Sequence, residues 1–247
     1  MTNDNLYSLF ESRFPADRSR ALLFADGGRV VSYAEAEATA SRYAAFLAGL
    51  GLAPGSRVAV QVEKSPEALF AYLGCLKAGL AYLPLNSAYQ EGEVGYFLEN
   101  AEAGAVIAQP KSMPWLAPVA ERMGLRHVFT LDEHGQGTFA DAARGAPERF
   151  ATVPRAADDL AAILYTSGTT GRSKGAMISH RNLAANAKVL HAYWGFRPDD
   201  VLIHMLPLFH VHGLFVATHC VLMNGTAMRF HARFDAKRAI AEFAEST

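Results

Sequence analysis

Residues Tyr165-Thr166-Ser167-Gly168-Thr169-Thr170-Gly171-Arg172-Ser173-Lys174-Gly175 crowd side-chain hydroxyls, three glycines and one lysine into a single segment. Glycine lets the backbone aim N–H groups at an anion, hydroxyls donate further hydrogen bonds, and lysine adds a full positive charge. Those are the requirements of a polyphosphate. The segment is not a Walker A loop, because Lys174 follows Ser173 rather than the second glycine and has no Ser or Thr after it. It does not fit GxGxxG either. A flexible Ser/Thr/Gly linker has similar composition, but an apolar strand before the segment and the strand-like Ala176–Ser179 after it favour a phosphate loop.

Histidine forms the second cluster: His204, His210, His212 and His219. A metal site is one reading, yet no cysteine or carboxylate nearby completes a ligand set, so no metal site is expected within this chain. His204 and His219 read as core or face residues, and the residues alone leave His212 undecided.

The elements that must position these groups follow from patterning. Ala21-Leu22-Leu23-Phe24 and Val30-Val31-Ser32-Tyr33 around Asp26-Gly27-Gly28 predict a hairpin. Ser32 with Glu35 predicts a capping box opening a helix that ends near Leu50-Gly51. Strand-type runs at Arg57–Val62, Leu80–Leu85, Ala105–Ala108 and His127–Leu131 alternate with helical segments, one of them opened by Ser65-Pro66 and closed by Gly79. Such βαβ alternation implies mostly parallel sheets with helices on their faces. Residues 132–159, rich in glycine, proline, alanine and charge, read as a surface connection. Beyond it come a strand at Ala161–Tyr165, a helix at Asn182–Trp194, a strand at Val201–Met205 and a helix at Leu214–Met223. A strand at Thr226–Phe230 and a last helix capped by Asp235 complete the pattern. The expected fold class is therefore α/β, with one subdomain over 1–150 and a second over 151–247.

Composition narrows the class further. Of 247 residues, 51% are apolar and 19% charged, enough to bury a core and too apolar for disorder. Lys plus Arg number 23 against 24 acidic residues, without a polybasic run, which argues against a nucleic-acid surface. The first residues are polar and acidic where a secretory signal would be basic and then apolar. The longest strongly apolar stretch, Leu214–Met223, is too short to span a bilayer. Cys75 and Cys220, far apart in apolar surroundings, read as buried free thiols of a cytoplasmic protein.

The segment from Thr166 to Gly175 resembles the signature loop of the adenylate-forming superfamily of acyl-CoA synthetases, luciferases and peptide-synthetase adenylation domains. Ser173 stands where the family usually has proline, a departure that removes a stiffening ring from the loop. The resemblance extends through Val60–Glu67, Gly79–Asn86 and Leu206–Leu214, and so covers essentially the whole chain. It implies the fold of the family's N-terminal domain and a two-step reaction. A carboxylate attacks the α-phosphate of Mg²⁺-ATP and expels pyrophosphate, then the thiol of coenzyme A displaces AMP. By the same resemblance Thr166, Ser167, Gly168, Thr169, Thr170, Gly171 and Lys174 would hold the β- and γ-phosphates. Arg172 and Ser173 belong to the loop with side chains toward solvent. His210 matches a position, usually aromatic, beside the acyl pocket and the α-phosphate. Thr166, Lys174 and His210 are thus the expected catalytic residues.

Val62-Glu63-Lys64-Ser65, Pro84-Leu85-Asn86 and Leu206 through Phe215 look most like malonyl-CoA synthetases. A short dicarboxylate needs a second cationic or hydrogen-bonding anchor for its distal carboxylate. His210, His212, Arg229 and Arg233 are the candidates for the acid site, although solvated arginines flanking a helix start are the plainer reading of the last two. Methylmalonate, or a short- or medium-chain acid, is the alternative substrate, and a catalytically inactive nucleotide-binding module on the same fold is the alternative function. Family members are longer, with a ribose-binding acidic residue and a mobile C-terminal domain bearing a lysine. The resemblance therefore implies that this chain is the N-terminal part of a ligase whose C-terminal part is its partner.

Overall fold

The computed structural model describes residues 3–166 and 172–245. Ten strands in this part of the chain build two sheets. In chain order they are β1 (Ala21–Ala25), β2 (Val30–Ser32), β3 (Arg57–Gln61), β4 (Ala81–Pro84), β5 (Ala103–Ala108), β6 (His127–Thr130), β7 (Leu160–Thr166), β8 (Lys174–Ser179), β9 (Val201–His204) and β10 (Ala227–Phe230). The smaller sheet runs β2-β1-β10-β9 and the larger β6-β5-β3-β4-β7-β8. Only the two hairpins, β1 with β2 and β7 with β8, pair antiparallel; every other pairing is parallel. The α/β class with mostly parallel sheets and flanking helices is the observed architecture.

Both sheets draw strands from either side of residue 150, where the sequence suggested a subdomain border. β7 and β8 complete the larger sheet, while β9 and β10 pair onto the N-terminal hairpin. The reason is burial: β1 pairs with β10 in the register Leu23 with Met228, and Leu22, Leu23 and Met228 are fully buried. The distant strand covers an apolar edge that β2 alone would leave open.

Helices form where the caps indicated, with differences. The helix at Tyr33–Gly49 opens with the Glu35 amide donating to Ser32 Oγ at 3.1 Å. The reciprocal arm of the expected capping box is replaced by an ion pair from Glu35 to Arg29 at 2.9 Å. The helix at Pro66–Lys77 is capped by Ser65, whose Oγ accepts from the Ala68 amide at 3.2 Å, and Ala68 to Lys77 are all buried. A fully buried helix of this kind packs on several sides at once. Residues 132–159 are more than a surface connection. They include a helix at Thr138–Ala143 whose Phe139 is fully buried against Tyr43 and Phe46, with ring centroids 4.6 and 5.7 Å apart. Its short length and mixed composition give no periodicity from which to predict it. The helix expected at Leu214–Met223 begins earlier, as a wide π-type turn over His212–Thr218 that continues as an α-helix at His219–Asn224. Asp235 accepts from the Arg238 amide at 3.0 Å and caps the last helix, Ala236–Glu245.

Cys75 and Cys220 are buried and free, and burial pushes both thiols up. No helix of the described residues is long and apolar enough to cross a membrane.

Candidate active site

The larger sheet delivers the site at the carboxyl ends of its parallel strands, where open α/β sheets place ligands. β7 ends in Thr166, and β8 returns antiparallel with Lys174 directly opposite Thr166. The hairpin β7–β8 therefore closes the two ends of the predicted phosphate loop against each other. Ser167, Gly168, Thr169, Thr170 and Gly171, the middle of that loop, lie outside the described residues. Thr166, Arg172 and Lys174 are exposed, and Ser173 is half-buried.

Aromatic side chains from the helix Glu91–Asn100 hold the loop's far arm. Tyr96 donates its hydroxyl to the Ser173 carbonyl at 2.9 Å, and the Arg172 guanidinium stacks 5.5 Å from the Tyr96 ring centre. Arg172 is exposed, as expected, but rests on a ring face. Tyr165 packs on Phe97 with centroids 4.3 Å apart and donates to Asn100 Oδ1 at 2.7 Å. Burial, with a smaller contribution from Tyr96, raises the Tyr165 phenol above its usual value, so this hydroxyl keeps its proton.

A cleft of about 700 Å³ opens beside the loop, lined by Tyr89, Tyr96, Tyr165, Thr166, Arg172 and His210, among others. That size suits a small-molecule ligand. Gln61 at the end of β3 fixes one wall: its Nε2 donates to the Asn86 and Tyr89 carbonyls at 3.2 and 2.8 Å, while its Oε1 accepts from Ser112. Gln109 at the end of β5 donates to the Ser87 carbonyl at 2.8 Å. Two buried amides thus knit the loop that carries Tyr89, a wall that sequence reading missed because no motif marks it.

His210 reaches the cleft from the loop after β9 and is exposed. His212 stacks on it with centroids 5.6 Å apart and planes within 17°, but does not line the cleft. His204 and His219 are buried, as expected. Burial pushes each down to about 3, so both are neutral imidazoles. His219 meets the Tyr72 hydroxyl at 2.8 Å and His204 meets Lys64 at 2.8 Å. The described residues contain no group of three or more metal-ligating side chains.

Arg229 and Arg233 do not line the His210 cleft. Arg229 lies on β10 with Glu242 4.0 Å away, and Arg233 borders a separate cleft with Lys64 and Lys111. The structure thus brings Thr166, Arg172, Ser173 and His210 together around one space and sets both arginines apart from it.

The fold is that of the N-terminal domain of adenylate-forming enzymes, and the chain belongs to the AMP-binding enzyme family, whose model matches residues 11–246. It is similar to MatB from Rhodopseudomonas palustris, solved both apo and bound to ATP. Identity is 47% to the apo structure and 48% to the ATP-bound one, each with a TM-score of 0.94. In both cases the match covers 98% of this chain and 48% of that one. An inhibitor-bound N-terminal domain of FACL13 from Mycobacterium tuberculosis is 26% identical with a TM-score of 0.86, covering 100% of this chain and 61% of the other. The crotonobetaine/carnitine–CoA ligase of Escherichia coli O1:K1 / APEC is 30% identical over 202 residues, 77% of this chain and 39% of that protein. The chain thus spans about half the length of MatB and less of the curated ligase.

Proposed function

We propose that this chain is the loop-bearing part of an ATP-dependent acid–CoA ligase that works in the cytoplasm through an acyl-adenylate, with malonate as its favoured acid and methylmalonate as a second. The observation that carries the reading is the β7–β8 hairpin. It sets Thr166 opposite Lys174 at the carboxyl edge of a parallel sheet and opens onto the cleft that His210 lines. Thr166, Ser167, Gly168, Thr169, Thr170, Gly171 and Lys174 hold the β- and γ-phosphates, and Lys174 neutralises the departing pyrophosphate. Protein groups act here by positioning and by charge, as phosphoryl and nucleotidyl chemistry requires. Mg²⁺, carried by the triphosphate itself, would neutralise part of its charge, and no cluster of ligating side chains among the described residues would hold it independently. His210 donates toward the reacting carboxylate or the α-phosphate. Coenzyme A is the acceptor, consistent with the ligases this chain resembles.

Malonate is favoured by the resemblance of the Val62–Ser65, Pro84–Asn86 and Leu206–Phe215 segments to malonyl-CoA synthetases. Arg229, Arg233 and His212 all lie outside the lining of the His210 cleft, but His212 stacks on His210 and is the candidate polar partner for a distal carboxylate. The test is hydroxamate trapping of the acyl-adenylate by the natural full-length protein with malonate, methylmalonate, butyrate and octanoate. Malonate leads by a factor that polar discrimination allows to reach about 10⁴, because a methyl terminus cannot pair with the polar group that meets the distal carboxylate. Octanoate ahead of malonate would contradict the assignment.

A further inference from the structure

One side chain joins the carboxyl ends of β3 in the larger sheet and β9 in the smaller. Lys64 follows β3 closely and is only 8% exposed. Its Nζ donates to His204 Nδ1 and to the His204 carbonyl, both at 2.8 Å, and lies 4.3 Å from the Phe230 ring centre. His204 ends β9. Its other ring nitrogen, Nε2, is 2.8 Å from the Gly213 carbonyl, an oxygen that can only accept. Nε2 must therefore bear the proton, which leaves Nδ1 as the acceptor that Lys64 needs. Thr218 Oγ1 donates to the same carbonyl at 2.9 Å and lies 3.1 Å from Nε2.

Gly213 closes the loop that starts at His204. A Cβ there would fall 2.0 Å from the Pro207 carbonyl oxygen, so the two ends of the segment from Pro207 to Gly213 meet backbone against backbone. His204 thus governs both ends of this loop, the first by peptide bonds and the second by the Nε2 hydrogen bond. His210 lies between them.

Adhesion between the sheets does not explain a lysine here. Burial pushes the Lys64 ammonium down to about 7, a sign of how costly its desolvation is, and an apolar side chain against Phe230 would join the sheets at lower cost. An apolar side chain could not choose which imidazole nitrogen carries the proton.

We propose that Lys64 is a positioning residue: by donating to His204 Nδ1 it fixes the tautomer whose Nε2–H holds the Gly213 carbonyl, and so sets where the loop presents His210. The proposal rests on the reading of His210 as facing the reacting acid and phosphate. Lys64 itself touches no substrate. Its effect belongs in turnover rather than in ATP affinity, because the phosphate loop hangs from β7 and β8 instead.

The natural full-length protein with Lys64→Met is assayed by malonate-dependent ATP–pyrophosphate exchange and by NMR of ¹⁵N-labelled histidine. Misplacing a reacting group by about 1 Å costs on the order of 100-fold, so kcat falls by about that factor while KM for ATP moves less than about threefold. The His204 Nδ1 resonance moves as its donor is lost, and the His210 and His212 imidazole resonances move with the loop. His204→Leu reproduces the loss. His204→Gln keeps an N–H where Nε2 was and recovers at least about tenfold over His204→Leu, since a side-chain donor to that carbonyl is what matters. Unchanged kcat in a folded Lys64→Met protein, or unmoved His210 signals, overturns the proposal. Should Lys64→Met fail to fold, equal losses in the two His204 variants overturn it instead. If the wild-type protein exchanges with no acid, the proposed function is at fault, and the histidine spectra of Lys64→Met still decide the role of Lys64.

Discussion

His204 and His210 lie six positions apart and are used in opposite ways. His204 is buried, its two nitrogens committed to Lys64 and to Gly213, and burial leaves it neutral. His210 is exposed on a cleft shared with Thr166 and Arg172. If its N–H meets charge that develops at the α-phosphate or the activated carboxylate, the contact is common to every acid. His210→Ala should therefore lower acid-dependent ATP–pyrophosphate exchange by about 100-fold with malonate and butyrate alike, the scale set by loss of one preorganised donor. A loss with malonate alone would reassign His210 to the distal carboxylate. At this scale the sequence was informative where chemistry depends on local composition. The Thr/Ser/Gly/Lys loop and the four histidines were visible at once. The link from Lys64 to His204 was not, because its two ends are 140 residues apart and their meeting depends on how two sheets face each other.

Among the elements, the caps and periodicities located most helices and strands to within a few residues, since those signals are local. The partition of strands into sheets is non-local and stayed hidden: β10 sits between β1 and β9, a placement no window around residue 227 contains. The π-type turn at His212–Thr218 was equally illegible, as a wide turn has no distinct periodicity of its own. It depends on Gly213, where the chain passes within contact distance of Pro207. Gly213→Ala should force this loop open, destabilising the protein by about 1–3 kcal/mol, the usual cost of overpacking. It should also depress turnover more than ATP binding. Denaturant unfolding and exchange kinetics check both, and a Gly213→Ala protein with wild-type stability and kcat would show that the closed loop has no role.

For the molecule as a whole, buried neutral histidines tie stability to pH. Burial lowers His180 to about 4 and His204 and His219 to about 3, all below the ordinary value of 6.5. The unfolded chain therefore takes up protons that the folded one refuses. The stabilisation is fully present above pH 6.5 and is lost as pH falls toward 4 and then 3, at up to about 1.4 kcal/mol per pH unit for each histidine. Thermal unfolding should show Tm falling steadily between pH 6.5 and 4.5, and replacing His219 with a phenylalanine should flatten the slope; a Tm independent of pH in that window would contradict the buried neutral assignment. The same architecture, two sheets meeting at their carboxyl ends with a phosphate-loop hairpin on one and a histidine loop on the other, carries the proposed acid activation. Its most direct test is malonate-dependent exchange of labelled pyrophosphate into ATP by the natural full-length protein and by Lys174→Ala. Exchange should require the acid and should fall by about 10- to 1,000-fold in the variant, the range for one charge-assisted contact to a leaving polyphosphate. Exchange that needs no acid, or that Lys174→Ala leaves unchanged, would contradict the reading of Thr166 to Gly175 as the phosphate loop of an acid-activating ligase.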